Sequence, residues 1–229
     1  MLSVTRQAVD GDAEDHVDPV TVAAVVGPDR AFLTRRAGPA LPATLEAALD
    51  WDEAQHLHIA EYATLHEIPD LVSRAKERGL TVSLDPSRDA TLIYDHGLPR
   101  ACADIDLFLP NVEEAEAITG SSDPQVASRK LSLAFPTVAL KGGAEGAWLV
   151  SKGRLLHAPA ETMPVIDTTG AGDAFNAGFI DAWLNGAADE ACLEAGILSE
   201  PGSAGCRRRQ ASDHERLGWL QTSVAFSSG

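Results

Sequence analysis

The stretch Asp167-Thr168-Thr169-Gly170-Ala171-Gly172-Asp173-Ala174-Phe175 carries most of what this sequence says about its fold and chemistry. It follows Val165-Ile166 and opens a segment with helical apolar spacing, which predicts a turn from a strand into a helix. Two glycines separated by one alanine let the backbone turn tightly and approach a ligand closely. The unpaired amides and partial positive charge of the helix start then favour an anion such as a phosphate.

Asp173 needs its own explanation, because a carboxylate beside a bound phosphate is repulsive. An enzyme can use such a carboxylate to accept the proton of an attacking hydroxyl, while the loop amides stabilise a phosphoryl group in transfer. The alternative is that Asp167 or Thr169 caps a helix and the glycines only turn the chain. A Gly-x-Gly motif alone does not identify the ligand. Phe175 stands where a dinucleotide-binding fingerprint has its third glycine, and the sequence contains no Gly-x-x-x-x-Gly-Lys-Ser/Thr loop.

The whole stretch resembles the C-terminal signature of the ribokinase-like (PfkB) carbohydrate kinases, Asp-Thr-x-Gly-Ala-Gly-Asp-x-Phe, at every fixed position. The resemblance implies an ATP-dependent kinase that transfers the γ-phosphate to a sugar hydroxyl. Asp173 would be the catalytic base, and the anion hole would consist of Gly170, Ala171 and Gly172. It also implies that Asp167 and Thr169 hold a monovalent cation such as K⁺, with helix capping as their competing role.

A second segment, Asn111-Val112-Glu113-Glu114, resembles the Asn-x-x-Glu motif of the same family. In that family the motif orients Mg²⁺ and its waters around the nucleotide phosphates, which implies this role for Asn111 and Glu114. The chemistry is reasonable, because Mg²⁺ keeps several waters and is often held indirectly by a carboxylate. The alternative is an ordinary helix start with exposed acids.

Two strand ends complete the resemblance. The segment from Leu140 to Ala147 resembles the family's strand and turn beside the nucleotide phosphates, which implies nucleotide contacts from Lys141 and Gly143. Lys141 could equally be a surface lysine at a hairpin turn. Ser83-Leu84-Asp85-Pro86 resembles the family's Asp-Pro turn, for which we expect a structural role.

The apolar pattern predicts an α/β fold. Strands are predicted at 21–26, 31–34, 56–60, 80–84, 105–109, 137–140, 148–150 and 155–157, and helices at 42–49, 68–78, 112–118, 126–134, 172–184 and 187–198. Alternating strands and helices favour a mostly parallel central sheet with helices on both faces, in three layers. Ligands of such folds bind at the carboxyl ends of the strands, where the motifs above are found.

Segment 172–184 gives the clearest helical pattern. An apolar stripe is predicted to face the core, and it consists of Ala174, Phe175, Gly178, Phe179, Ala182 and Trp183. Asn176, Asp181 and Asn185 are predicted to lie off this stripe.

Three regions are predicted along the chain: a disordered leader at 1–19, a partial kinase domain at 20–198 and an atypical tail at 199–229. The family's opening strands, Gly-Gly-Asn-type motif and most of its lid have no match, and residues 20–36 resemble only the returning lid hairpin. We therefore expect an incomplete lid, and an exposed sheet edge that a partner chain covers or that lowers stability. The resemblance also implies a homodimer formed through the lids.

Composition limits the partners. The net charge of −16, from 18 basic and 34 acidic residues, disfavours binding to nucleic acid and to anionic membranes. The three cysteines are widely spaced and form no Cys-x-x-Cys, which indicates neither a disulfide framework nor a zinc site. Without a signal peptide or an apolar run of about 18–20 residues, the chain is predicted to be cytoplasmic.

Three interpretations stay open. The chain is an active carbohydrate kinase, a nucleoside kinase of the same fold, or a non-catalytic remnant that binds nucleotide without acceptor-dependent ADP production. A separate pair, His56 and His58, shares one face of a predicted strand and could bind metal, although no third ligand is near in sequence.

Overall fold

The computed structural model describes residues 3–5, 20–26, 29–35, 45, 49–87, 102, 104–160, 170–199 and 220–222. The strands are β1 (Ser3–Thr5), β2 (Val20–Val26), β3 (Asp29–Arg35), β4 (His56–Ile59), β5 (Thr81–Leu84), β6 (Leu107–Phe108), β7 (Thr137–Lys141), β8 (Ala147–Ser151), β9 (Arg154–Ala158) and β10 (Leu220–Thr222). The helices are α1 (Ala63–Glu67), α2 (Leu71–Glu77), α3 (Val112–Thr119), α4 (Pro124–Leu131), α5 (Ala171–Leu184) and α6 (Asp189–Ser199), with a 3₁₀ turn at Gly143–Glu145.

Seven strands form an open sheet in the order β10-β4-β5-β6-β7-β8-β9. The pairs from β10 to β7 are parallel, and β7, β8 and β9 are antiparallel. A separate three-stranded antiparallel sheet contains β1, β2 and β3. The predicted mostly parallel sheet and the predicted hairpins are therefore confirmed.

Helices cover both faces of the large sheet, which confirms the three-layer arrangement. On one face, alternate strand residues such as Leu57, Val82 and Val138 pack with α2, α3 and α4 in one apolar core. On the other face, α5 and α6 pack over β6, β7 and β8, where Leu109 and Leu149 contribute to a second core. A strand residue and its neighbour thus enter different cores, because side chains alternate across a strand.

Helices α5 and α6 approach each other through glycine. A β-carbon on Gly178 of α5 would lie 2.4 Å from the Ala195 carbonyl oxygen and 2.2 Å from Ser199 Oγ on α6. In return, Phe175 of α5 lies against Gly196 of α6, where a β-carbon would lie 2.7 Å from the ring. This contact holds α5 against the rest of the second layer.

Several elements differ from the sequence-based expectations. The strand expected at 105–109 is reduced to β6, although residues 105, 107, 108 and 109 are all buried. Helix α1, the 3₁₀ turn and the strands β1 and β10 are not predicted by the apolar pattern. Of the helix predicted at 42–49, the structure describes Leu45 and Leu49, which are helical and buried.

The two terminal regions contribute one strand each. Strand β1 lies within the predicted leader, and β10 lies within the predicted tail, where it pairs in parallel with β4. Within the described residues, β4 is therefore paired on both sides, and the open sheet ends at β10 and β9. In the same described ranges, no helix has both the length and the apolar character needed to cross a membrane.

Candidate functional site

Four segments that are distant in sequence meet at the carboxyl edge of the sheet. Strand β5 leads into Asp85, β6 leads into Asn111, β7 ends at Lys141, and α5 starts beside them. Asn111 forms a parallel bridge with Lys141, and the Lys141 amide donates to the Pro110 carbonyl at 2.9 Å. The motifs singled out in the sequence are brought together because parallel strands end at the same edge.

Lys141, Asp85 and Asn176 form a closed triangle of polar contacts. The Lys141 ammonium lies 2.5 Å from Asp85 Oδ2 and 3.2 Å from Asn176 Oδ1. The Asn176 amide nitrogen donates to the same Asp85 Oδ2 at 2.7 Å. Lys141 is buried, with 9% of its surface exposed, so the alternative interpretation as a surface lysine at a hairpin turn is wrong.

The Asp85 carboxylate is held in its charged form. Burial by itself raises the pKa of this carboxyl group, but the Lys141 charge and the hydrogen bonds from Lys141, Asn176 and the Ser87 amide outweigh it. The net result is a pKa below the ordinary value. Its second oxygen, Oδ1, accepts the Ser87 amide at 3.1 Å, and Ser87 has a positive φ of 53°, a sparsely populated conformation for serine.

Asn176 is the site residue that the sequence pattern misplaces. It is predicted to lie off the buried stripe of α5, but only 2% of it is exposed, so that prediction is wrong. The polar side chain is tolerated in this position because both ends of its amide are hydrogen-bonded. A sequence signal exists: Asn176 is three residues after Asp173, and residues at this spacing share one face of a helix.

At the start of α5, the first backbone amides have no hydrogen-bond partner among the described residues. Gly170 precedes the helix in the left-handed conformation, with φ 77° and ψ 5°, and no side chain in the described part of the chain caps the helix. The first bond that closes the turn runs from the Ala174 amide to the Gly170 carbonyl at 2.9 Å. Within the described part of the chain, the amides of residues 171–173 therefore have no competing acceptor, and such amides suit an anion.

The Lys141 ammonium lies next to this loop. A β-carbon on Gly172 would be 3.7 Å from Lys141 Nζ, which is ordinary contact distance. Two of the three ammonium donors are used by Asp85 and Asn176, and no third partner occurs among the described residues. The remaining N–H and the loop amides together form a positive lining on one side of the site.

Asp173, in the first turn of α5, has an exposed side chain. Partial loss of hydration and the Asp85 charge raise the pKa of its carboxyl group, and the Lys141 charge opposes them. A carboxylate with a raised pKa is a better proton acceptor than an ordinary one. The same position also suits a negative charge in the helix dipole, so Asp173 costs the helix nothing.

Asn111 and Glu114 form a capping box at the start of α3. The Glu114 amide donates to Asn111 Oδ1 at 2.8 Å, and the Asn111 amide donates to Glu114 Oε2 at 2.9 Å. Glu113 is exposed, but Glu114 is buried, so the alternative of a helix start with exposed acids holds only for Glu113. Burial and the Asp85 charge raise the pKa of Glu114 to about 7, which leaves it partly protonated at neutral pH.

The remaining predicted site residues lie at the periphery or outside the described residues. Gly143 is exposed in the 3₁₀ turn after β7, with φ 55°. Asp167 and Thr169, the predicted monovalent-cation ligands, fall in 161–169, outside the described residues. In the ranges that are described, no group of three or more His, Cys, Asp or Glu side chains is arranged to hold a metal ion.

His56 and His58 are part of a polar ladder between β4 and β5. His56 bonds Thr81 Oγ1 and Ser83 Oγ at 2.8 Å each, and His58 bonds Ser83 Oγ at 2.8 Å. Burial, with a smaller contribution from His58, lowers the pKa of His56 to about 3. Burial likewise lowers the pKa of His58 to about 4. Both rings are therefore neutral at pH 7.

Residues 17–200 match the pfkB family of carbohydrate kinases. A 1-phosphofructokinase of Haloferax volcanii is 31% identical over 242 residues, which cover 97% of this chain and 76% of that protein. A sugar kinase of Archaeoglobus fulgidus that is described as uncharacterized is 30% identical over 153 residues. That alignment covers 65% of this chain and 61% of the relative, so the chain spans about six tenths of this relative's length.

Solved structures agree on the fold. An adenosine kinase from Sinorhizobium meliloti superposes with a TM-score of 0.71 at 19% identity, covering 91% of this chain and 69% of that chain. Arabidopsis thaliana ribokinase, solved with ribose and ATP, gives a TM-score of 0.59 at 22% identity and covers 77% of this chain and 64% of its own. At these identities the similarity establishes the ribokinase-like fold alone.

Proposed function

The chain belongs to the pfkB family of carbohydrate kinases, and from that premise we propose that it transfers the γ-phosphate of ATP to a hydroxyl group of a sugar or sugar-like acceptor. The observation that carries the proposal is the convergence of four motifs at one sheet edge: the open amides of α5, Asp173 beside them, the Lys141 ammonium and the Asn111–Glu114 pair. A structural role explains each motif singly, but it does not explain why all four meet.

Each group has a definite role in this proposal. The amides at Gly170, Ala171 and Gly172 form the anion hole and stabilise the negative charge of the transferring phosphoryl group. Asp173 accepts the proton of the attacking hydroxyl, which forms the new O–P bond as the bond to the leaving ADP oxygen breaks. Lys141 contributes its remaining N–H to a nucleotide phosphate oxygen, and Gly143 would contact the nucleotide from the 3₁₀ turn after β7.

The residues present fit a nucleotide and its magnesium. Three open amides and one ammonium donor suit phosphate oxygens, and a buried carboxyl with a pKa of about 7 at Glu114 becomes fully charged when a cation enters. Because no three ligating side chains cluster in the described ranges, Asn111 and Glu114 would hold Mg²⁺ mainly through water. When bound, magnesium neutralises part of the phosphate charge.

Asp173→Asn tests the catalytic assignment. The substitution keeps the shape of the side chain and removes its basicity, so acceptor-dependent turnover is expected to fall by about 10²–10⁴-fold while ATP affinity is retained. The measurement is ADP release from Mg-ATP with a panel of sugars, sugar phosphates, keto-sugar acids and nucleosides. Normal turnover of Asp173→Asn with any acceptor of the panel would refute the role of Asp173.

The same panel separates the other candidate functions. Release that depends on a nucleoside rather than a sugar would indicate a nucleoside kinase of the same fold. ATP binding without ADP release in the presence of any acceptor would indicate a non-catalytic remnant.

The proposal includes a cytoplasmic location, in keeping with the free thiols of Cys102 and Cys192. A homodimer remains a prediction to be checked by sedimentation.

A further inference from the structure

Asp85 accepts more hydrogen bonds than an Asp-Pro turn requires. One carboxylate oxygen accepts both the Lys141 ammonium and the Asn176 amide, and the other accepts the Ser87 amide. An Asp-Pro turn needs only the last of these contacts. The other two join the ends of β5 and β7 to the first turns of α5.

Among the described residues of this cluster, carboxyl groups outnumber cations. Three carboxyl groups, on Asp85, Glu114 and Asp173, respond to the Lys141 ammonium. A buried ammonium is stable only with a counter-ion at close range, because desolvation of an isolated charge is costly. Asp85 provides this counter-ion at 2.5 Å, and it thereby fixes where the ammonium lies.

Asn176 transmits this position to α5. Its amide accepts from Lys141 and donates to Asp85, and it lies one turn after Asp173 on the same helix. The triangle therefore sets the distance between the ammonium and the helix start. The two lie next to each other, since a β-carbon on Gly172 would be 3.7 Å from Nζ.

We propose that Asp85 is a positioning residue for phosphoryl transfer: together with Asn176 it holds the Lys141 ammonium against the loop at 170–172, with one N–H directed to the nucleotide. The inference rests on the proposed function. It assigns to Asp85 a role beyond the structural one expected from its turn. If the Asp85–Lys141 pair only stabilised the fold, its removal would lower the free energy of unfolding but would leave nucleotide affinity unchanged.

A double-mutant cycle tests the proposal. The variants are Asp85→Asn, Lys141→Met and the double substitution. The measurements are calorimetric affinity for a non-hydrolysable ATP analogue and steady-state kinetics with the best acceptor. Each single variant is expected to lose about tenfold or more in affinity and in kcat/KM. The double variant is expected to lose at most about threefold more than the more impaired single variant, because both substitutions disrupt the same interaction. Additive losses would overturn the proposal.

The pH dependence gives a readout that a structural role would not move. Asp85 raises and Lys141 lowers the pKa of Asp173. The acid limb of the kcat/KM profile should therefore move to lower pH in Asp85→Asn and to higher pH in Lys141→Met. Shifts in the same direction, or no shift in either variant, would contradict the positioning role.

A second lysine–aspartate pair supplies the matched control. The Lys76 ammonium lies 2.7 Å from Asp106 Oδ2 at the amino end of β6, away from the site. Lys76→Met and Asp106→Asn should lower the free energy of unfolding without changing nucleotide affinity. If the parent protein binds the analogue but releases no ADP with any acceptor, the proposed activity fails while the affinity cycle still decides the role of Asp85.

Discussion

Gly170 decides how the chain enters α5. Its φ of 77° lies in the left-handed region, where an L-residue with a β-carbon is disfavoured by about 1–2 kcal/mol. Space is not the reason for glycine, because a β-carbon there would meet nothing within 4 Å. The requirement is conformational: the left-handed turn at Gly170 lets α5 start at Ala171.

We therefore expect Gly170→Ala to weaken ATP binding by about tenfold, because relief of a strain of about 1–2 kcal/mol tilts the loop amides away from the ligand. Gly186, at the other end of α5, has a φ of 71° and equally open surroundings. Gly186→Ala should cost similar stability but leave the affinity unchanged. Calorimetry and thermal unfolding of both variants measure this, and equal affinities in the two would contradict the role of the Gly170 turn.

At the scale of elements, the position of Asp173 depends on how α5 packs. One side of α5 is held by the Asp85–Lys141–Asn176 triangle at its first turns. Farther along, Gly178 allows α6 to approach, and Phe179 and Ile180 enter the second core. The start of α5 is thus held by a polar contact at one end of the helix and by close apolar packing along its length.

Gly178→Ala tests this packing. The added methyl group would lie 2.4 Å from the Ala195 carbonyl oxygen, so the two helices must separate, at a cost of about 1–3 kcal/mol. Gly172→Ala adds the same group to the same helix at an ordinary contact distance of 3.7 Å and should leave unfolding almost unchanged. The measurement is urea unfolding of the two variants, and equal midpoints would show that the α5–α6 approach does not limit stability.

At the scale of the whole molecule, one face of the sheet changes character along the strand order. It is apolar at β6 to β8, where α5 and α6 cover it, and polar at β4 and β5. Thr81 Oγ1 donates to the Gln55 carbonyl at 3.2 Å, so it accepts from His56 Nδ1–H. The lowered pKa values keep both rings neutral. A neutral His56 with its proton on Nδ1 accepts the Ser83 hydroxyl proton at Nε2, and Ser83 then accepts from His58 Nδ1–H.

This ladder links folding to pH. Between about pH 5 and 6 the unfolded chain protonates most of both histidines while the folded chain does not, whereas Glu114, with a folded pKa of about 7, binds a proton mainly in the folded chain. The difference is about one proton in favour of the unfolded chain, so these three groups lower the free energy of unfolding by ~1.4 kcal/mol per unit of falling pH.

Replacing His56 and His58 by glutamine removes the two histidine protons and leaves that of Glu114. Relative to the parent protein, the slope of the free energy of unfolding against pH should change by up to about 2.8 kcal/mol per pH unit. Above pH 6.5 the two histidines should no longer contribute to this slope. Urea unfolding at pH 5, 6 and 7 measures both slopes. Parallel slopes in the parent and the double variant would mean that the rings are not held neutral in the folded protein.

Much of this protein is predictable from local sequence. Alternating apolar segments predict the layered fold, and the spacing of glycines before α5 predicts an anion site, because period and turn chemistry are local properties. The helical stripe of α5 is likewise correct for Phe175, Gly178 and Phe179, which are buried. The Asn-x-x-Glu motif is correctly predicted to start a helix, at Asn111.

Tertiary structure alone decided the partners of the polar groups. Asn176 is buried, Lys141 is enclosed, and Asp85 is a counter-ion, because strand ends separated by 56 residues meet at one edge. No local pattern encodes that meeting, since the contacts depend on strand order and on the approach of α5 to α6. The sequence by itself determined which groups are candidates for phosphate chemistry. The tertiary structure decided which of them lie together, because charges and hydrogen bonds operate only over a few ångströms.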